Sequence, residues 1–359
     1  MRTKKKLGID ARMISHSGIG VRILSLLKCL HDNLPEDLEV YLFGDKEKLG
    51  SFSKFKIIPY ETPIYSIKEL FGHKLMSDMD VLDIPHFNFP IPYIRKSLVT
   101  IHDLTPYKMK DLFPELSKRV YLNIMFRILR LAKKIVTVSN HTLSDLKNEF
   151  SIPEKKLIRI YNGVDKKIFY KRSSKEVNSF KEKYKLPNEF ILMIGIGKAH
   201  KNFSFALDGL LDIWESKKIN TPLVLAGTGG KIPEFLKDSF EKAKEKIFLL
   251  PYLEQAELPV LYSSSKALVF PSLYEGFGFP LVEAASCECL VISSNASVMP
   301  EIMDEAAIYF DPLEKESFQD AILQGLTQDH SKLIKLGLEN SKRFDWTEAT
   351  TKQIELYRA

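Results

Sequence analysis

Two carboxylates frame a glycine-rich segment late in the chain, Pro271-Ser-Leu-Tyr-Glu275-Gly276-Phe277-Gly278-Phe279-Pro280-Leu281-Val-Glu283-Ala. Carboxylates accept hydrogen bonds from hydroxyls, and backbone N–H groups beside glycines donate to ligand oxygens. Together they suit a polyhydroxylated ligand that carries a phosphate. Pro280 fits the first turn of a helix. Glu275 then lies in the loop and Glu283 about one turn into the helix.

A second candidate is Gly195-Ile-Gly-Lys198-Ala-His200-Lys201-Asn202, which leads into a helix from about Phe203. Cations beside a helix N-terminus form a strong site for phosphate oxygens. In the first half, Gly18-Ile-Gly20 precedes a helix running to about His31. Its bare backbone and helix N-terminus offer donors to an anion. His102-Asp103-Leu-Thr105-Pro106 is placed to hydrogen-bond sugar hydroxyls, and Asp103 to fix the tautomer of a nearby imidazole. Ser139 reads as the cap of a following helix.

Other chemistries fit less well. Each Gly-x-Gly lacks the third glycine of a dinucleotide fingerprint: Ile23, His200, Ile232 and Leu281 stand there. No Gly-x4-Gly-Lys-Ser/Thr loop occurs, which excludes a P-loop. Asp78-Met-Asp80 reads as a solvated turn. Cys287-x-Cys289 has no partner pair and falls short of a zinc site. No metal and no cofactor is expected.

These residues follow short apolar runs. The strand candidates are 6–11, 40–44, 56–59, 81–85, 98–102, 135–139 and 157–161. After the polar, Lys- and Ser-rich stretch 166–178 they continue with 190–194, 223–226, 247–250, 267–270, 290–293 and 307–310. Continuous apolar runs alternating with helices predict parallel sheets covered on both faces. The fold class is therefore α/β: two doubly wound, Rossmann-like domains, residues 1–165 and 166–343. Ligands of such sheets sit beyond the carboxyl ends of strands, and two domains facing each other would share a cleft.

The 359 residues suit two domains, and 45% hydrophobic with 27% charged residues excludes a disordered or collagen-like chain. Three cysteines exclude a disulfide scaffold and suit a reducing compartment. No run of 18 apolar residues marks a membrane span, and Met1-Arg-Thr-Lys-Lys-Lys6 lacks the apolar stretch of a signal peptide. A cytoplasmic location is expected. Charge is uneven. Residues 1–165 carry 27 Lys+Arg against 19 Asp+Glu, and residues 166–359 carry 25 against 27. Segment 117–134, with Arg119, Arg127, Arg130, Lys133 and Lys134, forms a basic amphipathic helix candidate. It is suited either to core packing or to peripheral contact with an anionic membrane.

The glutamate-framed segment resembles the hallmark of retaining glycosyltransferases of family 4, which have the GT-B fold. In chain order, Ile9-Asp-Ala-Arg12 with the Gly18–Gly20 loop, Val99–Pro106, Asn162-Gly-Val-Asp165, His200-Lys201-Asn202, Ser297-Val-Met-Pro300-Glu301 and Phe344-Asp-Trp346 resemble further family segments. The resemblance covers nearly the whole chain. It implies that Glu283 holds the ribose of a nucleotide sugar. Glu275, with Gly276, Phe277, Gly278 and Phe279, would hold the donor sugar, and Leu281 joins that segment. Lys201 would neutralise the diphosphate, with Gly18, Gly20, Gly195, Lys198 and Asn202 around the nucleotide. His102 would stand at the reacting centre, and Asp103 and Asn88 on the acceptor side. Residues 344–359 would form a helix crossing back to the first domain.

The implied activity is metal-independent transfer of a hexose, with retention, to a saccharide or lipid-linked saccharide in glycan assembly. The Gly-Ile-Gly and His-Asp-Leu-Thr-Pro segments are most similar to mannosyl- and rhamnosyltransferases of bacterial surface polysaccharides. GDP-mannose is therefore the favoured donor, with a UDP-sugar as the alternative, and nucleic acid is not a partner. This sequence departs from the family at Ile196 and His200, where arginines are common, and at Glu288 and Leu290. A phosphorylase or sugar-nucleotide epimerase of the same fold, or a non-catalytic partner subunit, are the rival readings.

Overall fold

The computed structural model describes residues 4–109, 116–195, 197–216 and 218–359. Met1, Arg2, Thr3 and Ile196 lie outside the described residues, as do the side chains of Ser117 and Lys118. By internal contacts the chain divides into two units. One comprises Met1–Gly163 with Asp345–Ala359, the other Val164–Phe344.

The first unit holds a seven-stranded sheet: β1 Lys5–Asp10, β2 Leu38–Gly44, β3 Lys56–Pro59, β4 Val81–Ile84, β5 Ser97–Ile101, β6 Lys134–Thr137 and β7 Leu157–Arg159. All pairings are parallel, in the order β3-β2-β1-β4-β5-β6-β7. The second unit holds six parallel strands: β8 Ile191–Ile194, β9 Leu223–Ala226, β10 Ile247–Leu249, β11 Ala267–Phe270, β12 Leu290–Ser294 and β13 Ile308–Phe310. Their order is β10-β9-β8-β11-β12-β13. Strands β5 and β11 are buried along their whole length, which is why they read as unbroken apolar runs. Leu7, Ile9, Val40, Leu42 and Val81 centre the first core. Ile191, Met193, Val269, Ile292 and Phe318 centre the second.

Strand order reverses direction between β1 and β4 in one sheet and between β8 and β11 in the other. A crevice opens at such a switch point, so the residues after these four strands are the ones placed to meet a ligand.

Two local expectations change. Gly18 and Gly20 stand in the first turn of helix Ser17–Asp32 and not in a preceding loop. A Cβ at Gly20 would lie 2.5 Å from the Ile14 carbonyl oxygen, so the chain there is too close for a side chain. The basic helix spans Leu116–Leu129 and stops short of 134. The N–H of Lys133 is drawn to the Ser97 carbonyl, and Lys134 already opens β6.

Within the first unit, helix Trp346–Arg358 packs on helix Ser17–Asp32. The Tyr357 hydroxyl and Gln353 amide donate to Asp83, a carboxylate buried inside β4. Burial raises the Asp83 carboxyl, against those two donors and nearby Arg22. Arg22 in turn donates to the Asn162 side chain.

Candidate functional site

In the second unit, β8 runs into Gly195 and a 3-10 turn, Ala199–Lys201, before helix Phe203–Glu215. Asn202 joins them in a left-handed conformation, its amide donating to the Pro312 carbonyl. Lys198 is exposed at the head of this turn. Lys201 points to the neighbouring strand end: its Nζ lies 2.5 Å from Glu275 Oε1 and 5.0 Å from the centre of the Phe270 ring. Glu275 follows β11 and also accepts from the Ser272 hydroxyl at 2.9 Å. Its backbone is pinned on both sides by Ser297, whose hydroxyl donates to the Glu275 carbonyl and accepts from its N–H.

Gly276, Phe277 and Gly278 are buried and lead into helix Phe279–Ser286. Pro280 occupies its first turn and Leu281 is fully buried. Glu283, on the next turn, accepts from the Tyr262 hydroxyl at 2.8 Å. Burial pushes its carboxyl up to about 7, although Tyr262 pulls the other way. The two glutamates thus have separate partners, an ammonium for Glu275 and a phenol for Glu283. An ammonium, a carboxylate and a helix N-terminus then stand beside the β8–β11 switch point, a set that matches phosphate plus hydroxyls.

In the first unit, His102 follows β5. Its Nε2 lies 3.0 Å from the Pro85 carbonyl oxygen, which fixes the proton there and leaves Nδ1 as an acceptor. Burial, then the nearby Arg22 charge, lower the imidazole to about 3. Asp103 Oδ1 accepts from the Thr105 N–H. Gly18 and Gly20 stand beyond β1, in a first turn with no acidic side chain and no side-chain cap.

Asn88 is different. Its side chain is fully buried, its amide donating to Glu69 and its carbonyl accepting from Tyr121. It is a strut and not an exposed acceptor contact. It belongs to a buried cluster at the β1–β4 switch point. Arg12 bridges Asp10 and Glu69, each at 2.5 Å, and His86 Nε2 lies 3.4 Å from Asp10. Burial raises the Asp10 carboxyl, but His86 and Arg12 outweigh it and hold it well below the usual range. Asp10, Glu69 and His86 are close enough to surround a metal ion. The Arg12 guanidinium already supplies the positive charge between the two carboxylates.

Residues 16–167 match the model described as Glycosyltransferase Family 4, and residues 174–344 that of Glycosyl transferases group 1. The chain is 30% identical over 281 residues to O-antigen chain mannosyltransferase B of Escherichia coli, covering 76% of this chain and 72% of that protein. The chain belongs to glycosyltransferase family 4. It is 28% identical to O-antigen chain mannosyltransferase RfbU of Salmonella typhimurium, over 65% of this chain and 61% of that one. Among solved structures, sucrose-phosphate synthase from Thermosynechococcus elongatus superposes with a TM-score of 0.76 at 18% identity, covering 99% of this chain and 98% of the other. The fold is GT-B: two Rossmann-like parallel-sheet units.

Several residues of this glycosyltransferase escaped the sequence reading. Tyr262 and Ser297 reach the two glutamates from helices and turns distant in sequence. Glu69 joins Arg12 across 57 positions, from a stretch with no periodic pattern. Ser297 lies inside a segment that resembles the family but suggested no role by itself.

Proposed function

We propose that this glycosyltransferase moves a hexose, with retention and without a metal, from a nucleotide diphosphate sugar to a saccharide or lipid-linked saccharide in surface-polysaccharide assembly. The second unit takes the donor and the first the acceptor. The observation that carries this reading is the trio Lys201, Glu275 and Glu283 at the β8–β11 switch point. Lys201 faces the diphosphate, Glu275 the sugar hydroxyls and Glu283 the ribose. The C1–phosphate oxygen bond breaks with its electron pair leaving on the diphosphate. The acceptor oxygen forms the new C1–O bond on the same face, and a leaving phosphate oxygen takes the acceptor proton. Such a step asks for charge stabilisation more than for a protein nucleophile.

Likeness to two O-antigen mannosyltransferases supports mannose, and hence GDP-mannose, as the donor, with a UDP-sugar as the alternative. Among the described residues no helix is long and apolar enough to cross a membrane. Helix Leu116–Leu129 exposes Leu116, Val120 and Ile124 beside exposed Arg127. That supports peripheral contact with an anionic inner membrane face from the cytoplasm. The test is thermal unfolding with GDP, UDP, ADP, TDP and CDP, each with and without EDTA. A ligand at 100 times its dissociation constant adds about 2.7 kcal/mol. A GDP-selective shift indifferent to EDTA, lost in Glu283→Ala, is expected. A UDP-selective shift replaces the donor, and no shift with any nucleotide overturns the reading.

A further inference from the structure

Tyr65 combines features that core packing does not require. Its backbone φ is +60°, a left-handed conformation unfavourable for a bulky side chain. The residue is nonetheless 56% exposed. The conformation is enforced from below. The Tyr65 N–H donates at 2.7 Å to Glu69 Oε2, and Glu69 is fully buried between Arg12 and Asn88. A glycine at this position would satisfy the same backbone, so holding a tyrosine there in the strained conformation singles out the ring itself.

One face of that ring is supported. Tyr65 stacks on Phe87 with ring centres 5.7 Å apart and 29° between planes, and Phe87 leans on Phe126. The exposed remainder of the ring has no aromatic partner among the described residues. Its surroundings are polar and acidic. Phe87, which supports the ring, lies two residues beyond Pro85, whose carbonyl pairs with His102 Nε2, so Tyr65 and the His102–Asp103 segment share one strand-end edge. Partial burial, then the carboxylates of Glu69 and Asp103, raise the Tyr65 phenol. Asp103 uses Oδ1 for the Thr105 N–H, and no group among the described residues donates to Oδ2.

We infer that Tyr65, backed by Phe87, is the stacking platform for a pyranose ring of the acceptor, with Asp103 Oδ2 accepting one of its hydroxyls. This rests on the reading of the His102–Asp103 edge as the acceptor side. An aromatic face matches the C–H face of a sugar, and a carboxylate at the ring edge matches its hydroxyls. A lipid chain would leave that carboxylate unused, which favours the saccharide part of the acceptor.

The experiment uses the full chain and three probes: the methyl glycosides of mannose, N-acetylglucosamine and galactose. Their affinities are measured by saturation-transfer NMR titration, beside GDP and UDP affinities by calorimetry. Tyr65→Phe keeps the ring and should bind the preferred glycoside within about threefold of wild type. Tyr65→Gly keeps the backbone, so its melting temperature should not fall, yet glycoside affinity should drop about tenfold or more. Glycoside binding by Tyr65→Gly at wild-type strength overturns the platform. So does a wild-type enzyme that binds GDP or UDP but none of the glycosides. A wild-type enzyme that binds no nucleotide overturns the glycosyltransferase reading first, and the platform with it.

Discussion

Lys201 and Glu275 form an ion pair at 2.5 Å, between the ends of β8 and β11. The cation suited to the diphosphate and the carboxylate suited to the sugar therefore hold each other until a donor arrives. Lys201→Ala should lower nucleoside diphosphate affinity by about tenfold or more and leave monophosphate binding less affected. Glu275→Gln should free Lys201 and tighten binding of the sugar-free diphosphate while turnover falls. Calorimetry with GDP, GMP and the donor measures both, and equal losses for GDP and GMP would remove Lys201 from the diphosphate.

Glu283 titrates near 7 in the folded chain against 4.5 for an ordinary glutamate. The folded state then binds more protons than the unfolded state between those values. This contribution to stability is complete below 4.5 and is lost as pH rises through 7. Glu283→Gln should therefore gain on wild type in melting temperature between pH 5 and pH 8. Nucleotide affinity should run the other way in wild type if Glu283 holds the ribose as proposed, because only an ionised carboxylate can accept from two hydroxyls at once. It should fall below pH 7, and Tyr262→Phe should shift that fall to higher pH.

His102 behaves oppositely. Held near 3 against an ordinary 6.5, it stays neutral when folded and takes a proton when unfolded. Its stabilising contribution is present above 6.5 and disappears as pH falls toward 3. Activity between pH 5 and 8 should show no limb assignable to this imidazole. His102→Ala should reduce turnover by about a hundredfold. GDP affinity, measured in parallel, should stay near wild type if the imidazole acts at the sugar and not at the base.

Tyr357 anchors the closing helix through Asp83. Tyr357→Phe removes one donor from a buried carboxylate and should cost about 1–3 kcal/mol in urea unfolding. A variant as stable as wild type would show that this hydrogen bond adds nothing net.

Much of this was legible in the chain. The inner strands β4, β5, β11 and β12 are buried along their whole length, and burial on two sides leaves a mostly apolar record. The loops after β8 and β11 stood out too, because glycine, lysine and glutamate break the apolar pattern there, and the fold sets Lys201 against Glu275. What stayed hidden depends on approach in space. Nothing in the order of residues ties Glu69 to Arg12, or Tyr262 to Glu283. The first turn around Gly18 read as a loop because glycine is a poor helix former, yet Gly20 is there for its lack of bulk beside Ile14. The resemblance set Asn88 on the acceptor side, and only its pairing with Glu69 and Tyr121 shows it enclosed.

The return of helix Trp346–Arg358 to the first unit orders events during synthesis. A Cβ on Gly163 would lie 2.4 Å from the Trp346 N, so the outgoing and incoming strands of chain touch where the second unit is inserted. On the ribosome the second unit can be finished while the first still lacks its last helix, with Asp83 missing the Tyr357 and Gln353 donors. The first sheet is therefore sealed only by a stretch that emerges after the whole of the second unit.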